Sequence, residues 1–131
     1  MKKHILIIDD DEDELKILSG ALHSLKIPHK CTWAKSGEQA LQQLQYLTPD
    51  IILLDVNMPY MNGLQCLEGI KKISRCSQIP VVLQSTQLNK KIIDQGLQAG
   101  AHACISKAGS FDELQTILSE LLEEKYLLHH K

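Results

Sequence analysis

Short aliphatic runs alternate along this chain with stretches whose apolar residues recur at helical spacing. His4–Ile8 ends abruptly in Asp9-Asp10-Asp11, which predicts a buried strand. Leu15, Leu18, Leu22 and Leu25 then follow at gaps of three, four and three, one face of a helix that Pro28 closes. His29–Trp33 reads as a weaker second strand. Ser36-Gly37-Glu38-Gln39 fits a capping box, in which the Ser oxygen and the Gln side chain satisfy free backbone N–H groups. Ala40, Leu41 and Leu44 carry the helix that it opens. After the turn Thr48-Pro49-Asp50 comes a third strand, Ile51–Leu54, ending on Asp55. Gly63 to Ile73 reads as helix, with Leu64, Leu67 and Ile70 on one side. Val81–Gln84 is a fourth strand that stops at Ser85-Thr86. Ile92, Ile93, Leu97 and Ala99 mark the next helix, with core packing expected of most of these side chains; Gly100 ends it where a left-handed cap is wanted. Ala103–Ser106 is a short fifth strand ending on Lys107. Ser110-Phe111-Asp112-Glu113 reads as a second capping box, and Leu114, Ile117, Leu118, Leu121 and Leu122 run down a final helix.

Strand–helix alternation of this kind predicts an α/β fold, a parallel sheet covered by helices on both faces. Right-handed crossovers leave few topologies. In such sheets ligands bind beyond the carboxyl ends of the strands, where the strand order reverses. At those ends stand Asp9-Asp10, Asp55, Ser85 and Lys107. With the first strand beside the third, three carboxylates converge, and like charges so close raise one another's pKa or demand a cation. Magnesium suits such a site because it takes oxygen ligands, keeps several waters and uses few carboxylates. A phosphoryl group entering there has its charge neutralised and is attacked in line by a carboxylate oxygen, Asp55 being the candidate. Lys107 supplies a second cation for it, and the Ser85 hydroxyl a hydrogen bond. Taken singly, each residue has a plainer reading. Asp9 to Glu14 is an acidic run favoured at a helix N-terminus, Asp55 a strand terminator, Ser85 a turn cap and Lys107 a solvated lysine. Together, at four strand ends of one sheet, they make a phosphoryl-transfer set.

The bulk numbers narrow the class without changing that picture. The 131 residues suit one compact domain, and 44% apolar with 23% charged residues is ordinary for a globular protein. A formal net charge of −2 and a pI near 6.3 argue against nucleic acid as the main partner. The aliphatic runs are too short to cross a bilayer, and Met1-Lys2-Lys3-His4 followed by so short an apolar stretch is no signal peptide. Cys31, Cys66, Cys76 and Cys104 lie far apart with no CxxC pair, which predicts reduced thiols and a cytoplasmic setting.

Ile7-Ile8-Asp9-Asp10, Leu53-Leu54-Asp55-Val56-Asn57-Met58-Pro59, Asn62-Gly63, Ser85-Thr86, Gly100-Ala101 and Lys107 together resemble the response-regulator receiver domain of bacterial two-component signalling, in its stand-alone, chemotaxis-type form. The most specific stretch is Asp-x-Asn-Met-Pro-x-Met-Asn-Gly combined with the acid pair. The likeness covers about Lys3 to Leu122. It implies a flavodoxin-like doubly wound five-stranded sheet of order 2-1-3-4-5. Asp55 is then the phosphoacceptor and Asp10 a direct ligand of Mg2+, with Mn2+ as an alternative. Asp9 binds the metal through water and Asn57 through its backbone carbonyl. Ser85, Lys107 and the Thr86 backbone hold the phosphoryl group, and Asn57 and Gln87 tune its hydrolysis.

Two positions depart from the family's pattern. Ala108 stands where most receivers have proline after the lysine, across a cis peptide. A cis bond without proline costs about 2.5–4 kcal/mol, so a trans Lys107–Ala108 bond is expected. Cys104 stands where receivers often carry the Tyr or Phe of a switch. The expected activity is a phosphorylation-dependent switch or phosphorelay intermediate, not an enzyme. It receives phosphate from a sensor histidine kinase or phosphotransfer protein and signals to an unknown downstream protein, as a monomer or weak homodimer, through the face of the last two helices and fifth strand, to which Ile92, Ile93 and Leu97 are candidates. The expected organisation is one receiver domain over residues 1–131 with no output domain. A phosphohydrolase of the haloacid-dehalogenase type would need an acid at Asn57, and a receiver fold used as a docking module without phosphorylation usually follows loss of the acid pair, acceptor or lysine, all of which are present here.

Overall fold

The computed structural model describes residues 2–107 and 111–129, with side-chain surroundings as far as Leu122. The strands are β1 (Lys3–Ile8), β2 (His29–Ala34), β3 (Ile51–Asp55), β4 (Val81–Ser85) and β5 (Ala103–Ser106). They alternate with α1 (Asp13–Ser24), α2 (Gly37–Gln43), α3 (Gly63–Lys72), α4 (Lys90–Gln98) and α5 (Phe111–His129), and a short 3-10 turn covers Ser74–Cys76. All pairings are parallel and the order is β2-β1-β3-β4-β5. The order expected from the sequence is the order found. The second capping box around Ser110 and the peptide bond before Ala108 lie outside the described residues.

Successive residues of a strand face opposite sides, so an apolar run buried on both sides can serve two cores. Ile5 and Ile7 of β1, with Ile51 and Leu53 of β3, join Leu18 and Leu22 of α1 and Leu114 and Leu118 of α5. Leu6 and Ile8, with Ile52 and Leu54, face the other way onto Ala40, Leu44, Leu67 and Ile70 of the α2–α3 side. β1 thus pairs with β2 on one edge and β3 on the other, and the chain reverses its direction of winding between them. The register sets Ile8 against Leu54 and Asp55 against Gln84. That brings the carboxyl ends of β1, β3 and β4 level, at the reversal point where a crevice forms.

Two helix starts show how local chemistry places the site loops. Ser36 Oγ accepts the Gln39 N–H at 3.1 Å, as its sequence predicts, but Gln39 Oε1 reaches back one residue further, to the Lys35 N–H at 2.7 Å. The reciprocal box is at α3, where Asn62 Oδ1 accepts the Gln65 N–H and Gln65 Oε1 accepts the Asn62 N–H, both at 3.0 Å. Asn62→Ala removes this cap and is expected to cost about 1 kcal/mol. Thermal unfolding should show a melting temperature lowered by about 4 °C; an unchanged value would mean that water replaces the cap at no cost.

Helix α4 differs from expectation in what it buries. Ile92 and Ile93 are half-buried and Leu97 is 48% exposed, so core packing does not account for Leu97. The buried residue of α4 is Gly96. A Cβ there would stand 2.5 Å from Leu83 Cδ1 and 3.2 Å from Cys104 Sγ. At Gly96 the bare helix backbone therefore rests on the Leu83 and Cys104 side chains, beside the packing of Ile92, a contact to which hydrophobic periodicity is blind.

Candidate functional site

Asp9 follows directly on β1. Its N–H donates to the Ala34 carbonyl at 3.0 Å, extending the β1–β2 ladder by one step. Its side chain turns inward and is 1% exposed. Asp9 Oδ1 accepts the Asp11 N–H at 2.9 Å, while Oδ2 lies 2.6 Å from Lys107 Nζ. Asp55 closes β3 and is also buried. Its Oδ1 accepts the Asn57 N–H at 3.0 Å, and its Oδ2 lies 3.3 Å from the same ammonium. Asp10 is exposed to solvent on the open side of this cluster. Among the described residues, Asp9, Asp10 and Asp55 bring one carboxylate oxygen each within 4.8 Å of the others.

Lys107 reaches these groups because β5 ends beside β4: its N–H donates to the Ser85 carbonyl at 2.9 Å. Burial pulls the Lys107 pKa down, but the hydrogen bond it donates to Asp9 and the nearby charges of Asp55, Asp9 and Glu14 outweigh this and raise it overall. Burial raises the Asp9 carboxyl, and Asp55 adds to this, outweighing Lys107 and the Asp11 N–H, which act the other way. Two buried carboxylates thus share one ammonium, with the Asp10 carboxylate beside them. The donors are all oxygen, Asp9 Oδ2 is buried with no hydrogen-bonding partner besides Lys107, and Asp10 leaves one side open to water. This set fits a hard divalent cation that keeps part of its hydration shell.

Ser85 is fully buried at the end of β4. Its hydroxyl donates to Asn57 Oδ1 at 2.8 Å and accepts the Gln87 N–H at 3.1 Å. The predicted residues Asn57, Ser85 and Gln87 are therefore joined in one chain of hydrogen bonds, a link that sequence spacing does not reveal. Thr86 and Gln87 are exposed beside it. Cys104 is not part of this cluster: it lies under Gly96, half-buried, with its thiol pushed up by burial. All four cysteines are free thiols.

Glu14 is a site residue that sequence reasoning passed over. It lines a shallow pocket of about 280 Å³ with Gln84, Ser106 and Lys107, and Ile17, Phe111 and Leu114 form its apolar side. Burial pushes its carboxyl up, and Asp9, Asp11 and Asp55 add to this against the pull of Lys107. The available signal was its position four residues after Asp10 in the first turn of α1, which points back toward the strand ends.

A family model for the response regulator receiver domain matches residues 5–119. A protein-glutamate methylesterase/protein-glutamine glutaminase of Bacillus subtilis is 35% identical over 123 residues, covering 91% of this chain. The chain spans only 34% of that relative's length. Among solved structures, the phosphorylated cyanobacterial phytochrome response regulator RcpA superposes with a TM-score of 0.84 at 27% identity, over 95% of this chain and 96% of its own. The Mn2+-bound form of response regulator Rcp1 gives 0.82 at 26% identity, over 92% and 95%. With the five parallel strands and the acid cluster at their carboxyl ends, these matches show that the chain belongs to the response regulator receiver domains.

Proposed function

We propose that Asp55 accepts a phosphoryl group from the phosphohistidine of a sensor kinase or phosphotransfer protein, and that the modified protein signals by binding another protein. The observation that carries this is the placement of a buried carboxylate, Asp55, between an acid pair and a shared lysine. Asp10 and Asp55 would hold Mg2+ or Mn2+, with Asp9 acting through water and Asn57 through its carbonyl. The ion, when bound, neutralises charge on the incoming group. An Asp55 oxygen forms the new bond to phosphorus as the bond to the donor's imidazole nitrogen breaks, leaving an acyl phosphate on Asp55. Lys107, already held between Asp9 and Asp55, gives its ammonium to a phosphoryl oxygen.

Ser85 must give up Asn57 Oδ1 before its hydroxyl can donate to a phosphoryl oxygen. That exchange frees the Asn57 side chain and draws on the segment through Thr86 and Gln87 that leads into α4, biasing it between two packings. The Thr86 backbone N–H joins the phosphoryl contacts, while Asn57 and Gln87 tune the approach of the water that later hydrolyses the acyl phosphate. No aromatic stands at Cys104 to follow the hydroxyl inward, so the Gly96 contact on Leu83 and Cys104 takes the motion into α4.

The receiver unit spans residues 3–122, works in the cytoplasm beside its kinase, and acts as a switch rather than an enzyme, as a monomer or weak homodimer. No described helix is long and apolar enough to cross a membrane. The test is incubation with acetyl phosphate and Mg2+ followed by intact mass and peptide mapping. One added phosphoryl group, mapped to the peptide holding Asp55 and absent when EDTA is included, is the expected result. An unmodified protein at saturating acetyl phosphate and Mg2+ overturns the reading.

A further inference from the structure

The geometry points to Trp33 as a positioning residue for the acid pair: its indole holds the Asp9–Asp10 peptide in the orientation that presents both carboxylates to a divalent cation. This rests on the cation reading given above. Trp33 is the chain's lone tryptophan, at the second-to-last position of β2. It is half-buried, packs on the core between the sheet and α1, and its Nε1–H donates to the Asp9 carbonyl at 2.8 Å.

Asp9 lies one residue beyond the end of β1, where strand pairing no longer fixes its carbonyl. Its N–H is held by Ala34, and the indole captures the carbonyl on the other side. A peptide group is planar, so fixing the Asp9 carbonyl also fixes the direction in which the Asp10 Cα leaves. The indole thus fixes the Asp9–Asp10 peptide plane, and with it where the Asp10 Cα stands relative to the carboxylates of Asp9 and Asp55. Those three groups repel one another before any cation arrives. A backbone left free would relieve that repulsion by swinging Asp10 outward, and the cation would then have to pull it back. Holding it in place removes that cost from binding. The Trp33 backbone is tied in turn, its carbonyl accepting from Gln43 Nε2 at 3.4 Å. This gives the ligand pair a support outside the ligand set, of the kind that commonly changes metal affinity severalfold.

The experiment is a Mg2+ titration of the wild-type protein and of Trp33→Phe, followed by 15N–1H NMR of the amides around the strand ends, with thermal unfolding alongside. Trp33→Phe keeps an aromatic ring in the core and removes only the N–H donor and some bulk. The expected result is Mg2+ affinity about tenfold weaker in the variant, with the indole Nε1–H resonance of the wild type moving as Mg2+ saturates. Equal affinities accompanied by a lowered melting temperature would make Trp33 a core residue only and overturn the inference. Should the variant not fold, an indole resonance unmoved by saturating Mg2+ in the wild type overturns it equally. A wild type showing no Mg2+-dependent shifts at all would remove the cation reading itself, a result distinct from either.

Discussion

Lys107→Met should destabilise the protein by about 3 kcal/mol at neutral pH in EDTA, and added Mg2+ should restore much of the loss. The lysine stands 2.6 Å from Asp9 Oδ2 and 3.3 Å from Asp55 Oδ2, and its side chain is 11% exposed. Methionine keeps most of the apolar stem but leaves two buried carboxylates, with Asp10 close by, and no cation. Removing one partner of a buried ion pair commonly costs about 3–5 kcal/mol. The lower end applies because the Asp10 side opens to water. Mg2+ supplies the missing positive charge, and a ligand present at a hundred times its Kd stabilises by about 2.7 kcal/mol. Urea unfolding with and without Mg2+ measures both terms. A variant as stable as wild type in EDTA would show that the ion pairs contribute nothing to the fold.

The pH dependence of that loss separates the groups involved. The Asp9 carboxyl is raised above 3.8 in the folded state, chiefly by burial. Such a group contributes stability that is present in full below 3.8 and is lost as pH rises through its folded value. Lys107 is raised above 10.5, so its contribution is constant across the acidic and neutral range and is lost only in strongly alkaline solution. In Lys107→Met the counter-charge that held Asp9 down is gone, and its carboxyl moves further up. The deficit relative to wild type should therefore shrink as pH falls from neutral toward 3.8 and widen as pH rises. A deficit independent of pH would mean that lost packing, and not charge, explains the variant.

The strands and the four strand-end residues were legible because both depend on short-range pattern, whereas the strand order came from the family resemblance. Apolar runs mark β1, β3 and β4, and a polar site residue stands at or just beyond the end of each strand, Asp9, Asp55 and Ser85. Less legible was how closely a helix approaches the sheet. Leu97 carries the periodic signal of a core position yet is half exposed, because α4 is seated on the sheet by Gly96, which carries no such signal. The α3 cap was hidden too. Asn62-Gly63 entered only as part of the family motif, and the structure shows Asn62 and Gln65 exchanging hydrogen bonds. Glu14 was lost within a run of acids in which exposure, not residue type, separates a solvated charge from a site carboxylate. The Ser85–Asn57 and Trp33–Asp9 bonds join residues 28 and 24 apart in sequence, beyond the reach of any periodicity.

Gly63→Ala and Gly20→Ala should move stability in opposite directions, and only the first should disturb Asp55. A Cβ on Gly63 would lie 2.4 Å from the Asp55 carbonyl oxygen and 2.7 Å from Val56 Cα, both backbone atoms that cannot swing aside. The Gly63 N–H also donates to the Val56 carbonyl at 3.0 Å, so α3 starts in direct contact with the end of β3. An added methyl must push the helix start away, breaking that bond and turning the segment that carries Asp55 and Asn57. The cost is expected at about 3 kcal/mol, the upper end for forced overpacking. For a chain of this size that lowers the melting temperature by about 10 °C. At Gly20, on the exposed side of α1, nothing lies within 4 Å of a Cβ. Alanine there relieves only the helix penalty of glycine and should stabilise by about 0.5–1 kcal/mol. Thermal unfolding ranks the three proteins, and acetyl phosphate labelling measured well below each melting temperature tests the site. Gly63→Ala should label more slowly than wild type even while fully folded, whereas Gly20→Ala should label at the wild-type rate. A Gly63→Ala protein with wild-type melting and labelling would mean that the β3–α3 junction yields easily and does not hold Asp55 in place.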